Sequence, residues 1–165
     1  MDMASIKNSR FDSRTVTAVT GTKQGTLSMW VDRGFVHPTY RAPKGSGYRH
    51  GYSFEDVVRI MLLKRLVAHG ITLASASMMI FRTDGNLWVH KQYISQGIET
   101  VIGKPDEVTW YVFRTKQNSV TGVGLITGKQ NFVEFVSAME AIDEVFTAIN
   151  LTQAVRGIIG ALQDG

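Results

Sequence analysis

The pair of glycines Gly21 and Gly34 constrains the fold of this chain more than any other feature. Glycine adopts a positive φ without a Cβ clash, so it ends helices and turns the chain. Before the first glycine, a helix entry at Asp12 or Ser13 predicts a helix that ends near Thr20. A helix this short is marginal by itself in water, so it must pack against another element. We therefore expect a second helix directly after the turn.

The second predicted helix spans about residues 23–33 and is capped by Thr22. Leu27 and Trp30 recur at helical spacing and would face the first helix, and we interpret Trp30 as a core anchor. Two helices joined by such a turn form a helix-turn-helix, in which the N-terminal end of the second helix enters the major groove of DNA. The polar residues expected at that end are Thr22, Lys23, Gln24, Thr26 and Ser28.

A basic loop from His37 to Gly51 follows, and it contains no acidic residue. Pairing of a strand near residues 39–41 with one near residues 48–50 would make a β-hairpin wing. Guanidinium, ammonium and tyrosine hydroxyl groups on a wing donate to phosphate oxygens. The alternative is a solvated basic loop, but the position directly after a helix-turn-helix favours the wing. The side chains expected to bind DNA here are Tyr40, Arg41, Lys44, Tyr48, Arg49 and Tyr52.

A capping box predicts the next helix start, with Ser53 as the cap and Asp56 as a shorter substitute for the usual glutamate. Tyr52 could act there as a hydrophobic staple instead of a DNA contact. A broadly apolar helix follows, and Thr72 then caps a short helix over residues 73–81. A cluster of turn residues near 83–86 marks a domain boundary.

The order and spacing of these elements resemble the DNA-binding domain of the MerR family of bacterial transcription regulators. The resemblance covers about Phe11 to Phe81, and it implies that the second helix lies in the groove while wing arginines and tyrosines hold the DNA backbone. The residues that carry it are Gly21, Leu27, Trp30, Arg33, Gly34, Pro38, Gly47, Tyr48, Arg49, Tyr52, Ser53, Asp56, Val57, Leu66, Gly70, Ile71 and Leu73.

The recognition helix departs from the family pattern in its charge. Family members usually have arginine where this chain has Gly25 and Ser28, and a second aromatic residue where it has Met29. The loss of two positive charges is expected to weaken phosphate binding or to change base preference. We therefore expect the wing to supply much of the affinity.

After residue 86, no heptad pattern extends through three repeats, so a long dimerising helix is not expected. The pattern of this rear half predicts a small sheet instead. We predict strands at 87–93, 99–102, 108–114 and 122–127, and helices at 132–143 and 152–162. Residues 144–150 fit either a strand or a continued helix. The predicted fold class is α+β, a winged helix-turn-helix followed by a small antiparallel sheet with helices on one side. The predicted domains are a flexible N-terminus (1–10), a DNA-binding domain (11–84) and a dimerisation or sensing domain (85–165).

Charge is distributed unevenly along the chain. Residues 1–85 carry 12 Lys and Arg against 6 Asp and Glu, a net of +6, whereas residues 86–165 carry 6 against 8, a net of −2. A basic front half indicates a polyanionic partner.

Other classes of protein are disfavoured by what the sequence lacks. It contains no cysteine, so disulfides and thiolate metal sites are excluded, and the four histidines show no ligand spacing. We find no nucleophile–base pair and expect neither an enzyme nor a cofactor. No apolar run reaches the roughly 18 residues that a membrane-spanning helix needs. We expect a cytoplasmic, nucleoid-associated protein without membrane contact.

The resulting hypothesis is a bacterial or phage transcription regulator that binds double-stranded DNA at specific sequences, as a homodimer formed through its C-terminal half. One alternative is an excisionase-like architectural protein, a recombination directionality factor that bends DNA for an integrase. Another is a protein-interaction module in which the basic wing meets an acidic protein.

Overall fold

The computed structural model describes residues 3–41, 49–81, 88–104, 106–116, 119–139 and 145–164. The chain divides into two compact units, residues 1–82 together with 156–165, and residues 83–155. Residues 156–165 thus cluster with the front of the chain, whereas the sequence predicted that they belong to the rear domain (85–165). An amphipathic pattern shows that a helix has an apolar face, but not which surface that face meets. Among the described helices, none combines the length and apolarity needed to cross a bilayer.

The first unit is built from helices, with α4 at its centre. Helix α4 packs against α1, α2 and α5. It buries a continuous series of apolar side chains, including Val58, Ile60, Leu62 and Leu63, each with no exposed surface. Up to residue 81, the helices of this unit are α1 (Met3–Asn8), α2 (Ser13–Thr20), α3 (Gln24–Asp32), α4 (Phe54–Ala68) and α5 (Leu73–Phe81).

Helix α1 differs from the flexible N-terminus that was predicted for residues 1–10. It packs against α4, and the side chain of Ile6 is fully buried. A short segment with few apolar residues is a weak signal in sequence, because its burial depends on a surface supplied by a distant helix.

Local sequence signals set several helix ends of this unit as predicted. The carboxylate of Asp12 accepts a hydrogen bond from the Thr15 N–H at 2.8 Å and caps α2. Ser53 and Asp56 form the predicted capping box of α4, and Thr72 Oγ1 accepts from the Ser75 N–H at 3.2 Å. These caps use backbone N–H groups that have no partner inside the helix.

The second unit contains a three-stranded antiparallel sheet in the order β2-β1-β3. Tyr111 of the central strand is paired with Leu125 on one side and Ile149 on the other, and the β1–β2 register shifts after Arg114. The elements from α6 onward are α6 (Trp88–Gly103), β1 (Thr109–Lys116), β2 (Ser119–Thr127), α7 (Lys129–Met139), β3 (Val145–Asn150) and α8 (Leu151–Gln163).

Two of the predicted strands are wrong, because residues 88–103 form one helix. Its buried residues Ile94, Ile98 and Val101 are spaced by four and three positions, which is the helical repeat. The β-branched residues of this segment favour a strand by local propensity, but its packing on the sheet stabilises a helix. The strands predicted at 108–114 and 122–127 are confirmed, and the ambiguous stretch at 145–150 is a strand.

The sheet has helices on both faces, which corrects the one-sided arrangement predicted from sequence. Trp110 stacks on Phe132 of α7, with ring centroids 4.3 Å apart. The next residue, Tyr111, points to the other face with its partner Leu125, because successive side chains of a strand alternate. That face meets α6 at Gly97, where an added Cβ would lie 2.9 Å from Leu125 Cδ2.

Candidate nucleic-acid interface

The turn between α2 and α3 is formed by Gly21, Thr22 and Lys23. Gly21 has a φ of 62°, the left-handed conformation that was expected there. Lys23 is the residue before α3, and its side chain makes no cap. The Thr22 cap predicted from sequence is therefore wrong.

Thr22 is instead buried within the turn, with 5% of its surface exposed. The Thr20 hydroxyl donates to Thr22 Oγ1 at 2.9 Å, and it accepts from the Thr22 N–H at 3.3 Å. A side chain used in this way stabilises the turn between the two helices. Sequence could not show this, because Thr20 was expected only as the end of a helix.

Lys64 of α4 fixes the same turn from outside. Its Nζ donates to the carbonyl oxygens of Thr20 and Gly21, both at 2.9 Å. Carbonyls at the end of a helix have no partner within it, and a cation is favourable there. The orientation of α3 is thus linked to the central helix of the unit.

Helix α3 presents a polar face at its N-terminal end. Lys23, Gln24 and Ser28 are exposed, and Thr26 is half-buried. Gln24 Nε2 donates to Ser13 Oγ of α2 at 3.2 Å, which orients the amide. Leu27, Trp30 and Val31 are buried, so the core role predicted for Trp30 is confirmed.

The base of the predicted wing is held by two pairs of backbone hydrogen bonds. The N–H of Tyr40 donates to Gly51 O at 3.1 Å, and the Gly51 N–H donates to Tyr40 O at 2.9 Å. Phe11 and Tyr52 exchange the same two bonds, both at 2.8 Å. The partner of Tyr40 thus lies one residue beyond the predicted range 48–50. The loop residues Lys44 and Tyr48 lie outside the described residues.

Asp56 attaches this base to α4. Its Oδ2 accepts from the Ser53 N–H at 3.0 Å and from the Thr39 N–H at 2.8 Å, and 1% of the residue is exposed. Arg59, also buried, pairs with Glu55 and lies beside Asp56. The acidic residue of the capping box therefore does more than start a helix, because it fixes the chain that enters the wing.

A cleft of about 160 Å³ lies where α2, α3 and the wing base meet. It brings together residues that are far apart in sequence, including Gln24 and Ser28 of α3, which were predicted to contact bases, and Arg49 of the predicted wing. Arg49 is exposed and His50 is half-buried. The lining residues are Ser13, Gln24, Leu27, Ser28, Val31, Asp32, Arg49, His50 and Tyr52.

Tyr52 was a predicted DNA contact, but the structure buries it to 2% exposure. Burial, with smaller contributions from Asp56 and Asp32, raises the pKa of its phenol to about 12. The hydroxyl is therefore neutral, and Tyr52 serves the wing base and the wall of the cleft. This burial agrees with the alternative role of Tyr52 as a hydrophobic staple, which the sequence left open.

Arg10 is a cation at this surface that sequence reasoning missed. Its guanidinium lies over the ring of Tyr40, with Cζ 5.1 Å from the centroid. Arg10, Tyr40 and Arg41 are all exposed. The only sequence signal was a basic residue directly before Phe11, which is not distinctive by itself.

Metal binding finds no support in the ranges that the structure describes, since no three His, Asp or Glu side chains there approach closely enough to hold an ion.

Comparison with known families matches residues 11–81 to the model described as MerR HTH family regulatory protein. The matched segment runs from Phe11, which pairs with Tyr52, to Phe81 at the end of α5, and so contains the turn, the wing base and the cleft. No curated protein matches the chain.

Proposed function

The N-terminal half of this chain contains a helix-turn-helix domain of the MerR type, and on that premise we propose that the protein is a transcription regulator that binds double-stranded DNA at specific sequences. Helix α3 would enter the major groove, and the wing would hold the backbone. The family's members are regulators, and the proposed role needs no catalytic step.

The arrangement around the cleft is the observation that carries this proposal. Gln24 and Ser28 of α3 line it together with Arg49 of the wing base. Amide and hydroxyl groups can bond base edges, while an arginine beside them can bond a phosphate. One surface therefore offers both the sequence-reading and the backbone-binding chemistry that a DNA reader needs.

The positions of the Lys and Arg residues support the proposal that the wing supplies a large share of the affinity for DNA. Lys23 is the only Lys or Arg among residues 22–32, whereas Arg41, Lys44 and Arg49 lie in the wing segment. Phosphate contacts supply most of the salt-dependent, sequence-independent affinity, and contacts to bases supply the discrimination. We propose that the two roles are divided between wing and helix in this way.

We further propose a homodimer formed through the C-terminal half, because a two-fold dimer is how helix-turn-helix proteins usually reach two half-sites. Sedimentation equilibrium of the full chain should give twice the 18.3 kDa monomer mass. The selected DNA should contain inverted half-sites. A regulator of this type acts in the cytoplasm, associated with the nucleoid, and we propose the same for this chain.

The test begins by selecting bound fragments from genomic DNA with the full chain. The affinity of labelled duplexes is then measured at several KCl concentrations. Gln24→Ala should change the preferred sequence. Arg49→Ala should weaken binding to all sequences and reduce the salt slope by about 0.9, the value of one phosphate contact. Arg156→Ala, which removes an exposed charge from α8, is the control.

Three results would contradict the proposal or a part of it. If the wild-type chain does not bind duplex DNA at low salt, the protein is not a DNA reader, and an acidic protein partner becomes the better hypothesis. If Arg49→Ala matches Arg156→Ala in both affinity and slope, the wing assignment is wrong. Footprints at phased adjacent sites in an attachment region would indicate the architectural role instead of regulation.

A further inference from the structure

We infer that Arg10, which lies one residue outside the matched segment, is an additional DNA-backbone contact held in position by the ring of Tyr40. The inference rests on the proposed function and extends it to a residue that the family model does not include.

The first supporting observation is the contact between the two side chains. The guanidinium carbon of Arg10 lies 5.1 Å from the centre of the Tyr40 ring, within the roughly 6 Å at which a cation is attracted to an aromatic face. Tyr40 is 41% exposed. The pair therefore lies at the surface, where a large partner can reach it.

The second observation is the space that Gly51 leaves open. A Cβ at this position would collide with Arg10 Nε and would lie 2.9 Å from both Cγ and Cζ of the same side chain. Because Gly51 is also the backbone partner of Tyr40, the arginine crosses directly over the bridge at the wing base. The missing side chain of Gly51 is what allows this close approach.

The third observation is the anchoring of the backbone beside Arg10. Phe11 exchanges two backbone hydrogen bonds with Tyr52, each 2.8 Å long. The backbone of the residue before Phe11 is thereby held next to the wing base. Ordering the side chain in advance reduces the entropy lost when it binds a ligand.

The chemistry of this arrangement favours a phosphate. The Tyr40 ring lies on one side of the guanidinium group. The N–H groups of a guanidinium lie in its plane, where they can donate to an oxyanion. Within the part of the chain that the structure describes, no carboxylate forms an ion pair with Arg10. Arg41 follows Tyr40, and Arg49 lies two residues before Gly51, so three arginines flank one backbone bridge.

The same geometry assigns a different role to Tyr40. The position of Tyr40 in the wing predicted that its hydroxyl donates to phosphate. In the structure its ring supports a guanidinium, so Tyr40 acts as a positioning residue through Arg10. A ring without a hydroxyl should serve equally well.

The experiment measures binding of the full chain to a fluorescein-labelled random-sequence duplex by anisotropy, at several KCl concentrations. Arg10→Ala should weaken binding roughly fivefold at low salt and reduce the salt slope by about 0.9. Arg10→Lys should keep most of the slope, because it retains the charge. Tyr40→Ala should lose part of the affinity, and Tyr40→Phe should restore it. Arg156→Ala removes the same charge elsewhere and serves as control.

The possible outcomes separate this inference from the proposed function. If the wild-type chain binds and Arg10→Ala equals Arg156→Ala in slope and affinity, the Arg10 contact is wrong while DNA binding stands. If Tyr40→Phe binds as weakly as Tyr40→Ala, the tyrosine acts through its hydroxyl and the positioning role is wrong. If the wild type itself does not bind, the proposed function fails. Thermal melts of each variant distinguish lost contacts from lost folding.

Discussion

The contacts that stabilise each of the two compact units differ in kind. In the first unit, side chains bond the backbone of segments that are distant in sequence. Lys64 bonds the carbonyls of Thr20 and Gly21, and Asp56 bonds the N–H of Thr39. Each of these bonds fixes a turn or a loop next to the proposed DNA-binding surface.

In the second unit, strand pairing and the packing of large side chains are more prominent. Tyr111 and Phe113 of β1 are fully buried, and Gly97 lets α6 approach Leu125 of β2. The difference teaches that a surface built from a turn and a loop needs directional bonds, because neither has a regular hydrogen-bond ladder. A sheet covered by helices is stabilised instead by the apolar surface area that it buries and by the close packing of its side chains.

The largest expected effect comes from truncating a buried ring in the second unit. Phe113→Ala should lower the free energy of unfolding by about 3–5 kcal/mol, since it removes a large side chain and leaves a cavity. Urea denaturation followed by circular dichroism measures the change. Val133→Ala, at a residue that is 50% exposed on α7, should have little effect. Equal losses in the two variants would show that packing of buried rings does not stabilise the second unit.

The next effect tests the directional bonds of the first unit. Lys64→Met should cost about 1.5–3 kcal/mol, because a charged donor to two helix-end carbonyls is lost. Duplex DNA affinity should also fall, since the turn sets the orientation of α3. Arg65→Met removes a charge from the next position of the same helix and is the matched control. Retention of wild-type stability and affinity by Lys64→Met would show that the turn is held without this lysine.

A smaller loss is expected from overpacking between α6 and the sheet. Gly97→Ala should destabilise by about 1–3 kcal/mol, because the added methyl group meets Leu151 and Leu125. Gly157→Ala on α8 is the matched control, because a Cβ there would meet no atom of another element within 4 Å among the described residues. It should stabilise the helix by about 0.5–1 kcal/mol. Thermal melts should therefore shift in opposite directions, and a shared direction would contradict the close approach at Gly97.

The smallest effect is the pH dependence of the α2 cap. The hydrogen bond from the Thr15 N–H lowers the pKa of Asp12 below its ordinary value of 3.8. A lowered folded-state pKa means that the contribution of the charged cap is present above 3.8 and is lost as pH falls through the lower value. Asp12→Ala should cost about 1 kcal/mol near neutral pH.

Asp12→Asn is the control for this charge, because it keeps an acceptor but does not titrate. The difference in melting temperature between wild type and Asp12→Asn should be constant near neutral pH and should shrink below pH 3.8. A difference that is independent of pH throughout would show that the cap acts through geometry alone.

Several features of this protein could be predicted from sequence because their causes are local. The cap at Asp12 and the capping box at Ser53 each depend on residues three positions apart, and the turn at Gly21 depends on the positive φ of that glycine. The α+β class followed from periodicity and from turn residues. The same local patterns supported the resemblance that the family match over residues 11–81 confirms.

Other features were decided only by tertiary structure, because burial depends on residues that are distant in the chain. The local sequence of helix α6 predicted strands, and only the packing of its apolar residues on the sheet shows why it is a helix. Thr22 and Tyr52 were polar residues in the right place for DNA, yet contacts inside the fold bury both. Arg10 had no distinctive signal, and it became a candidate only when backbone pairing placed it over Tyr40. The sequence thus determined the elements and their ends, whereas long-range packing determined which side chains remain at the surface to meet a partner.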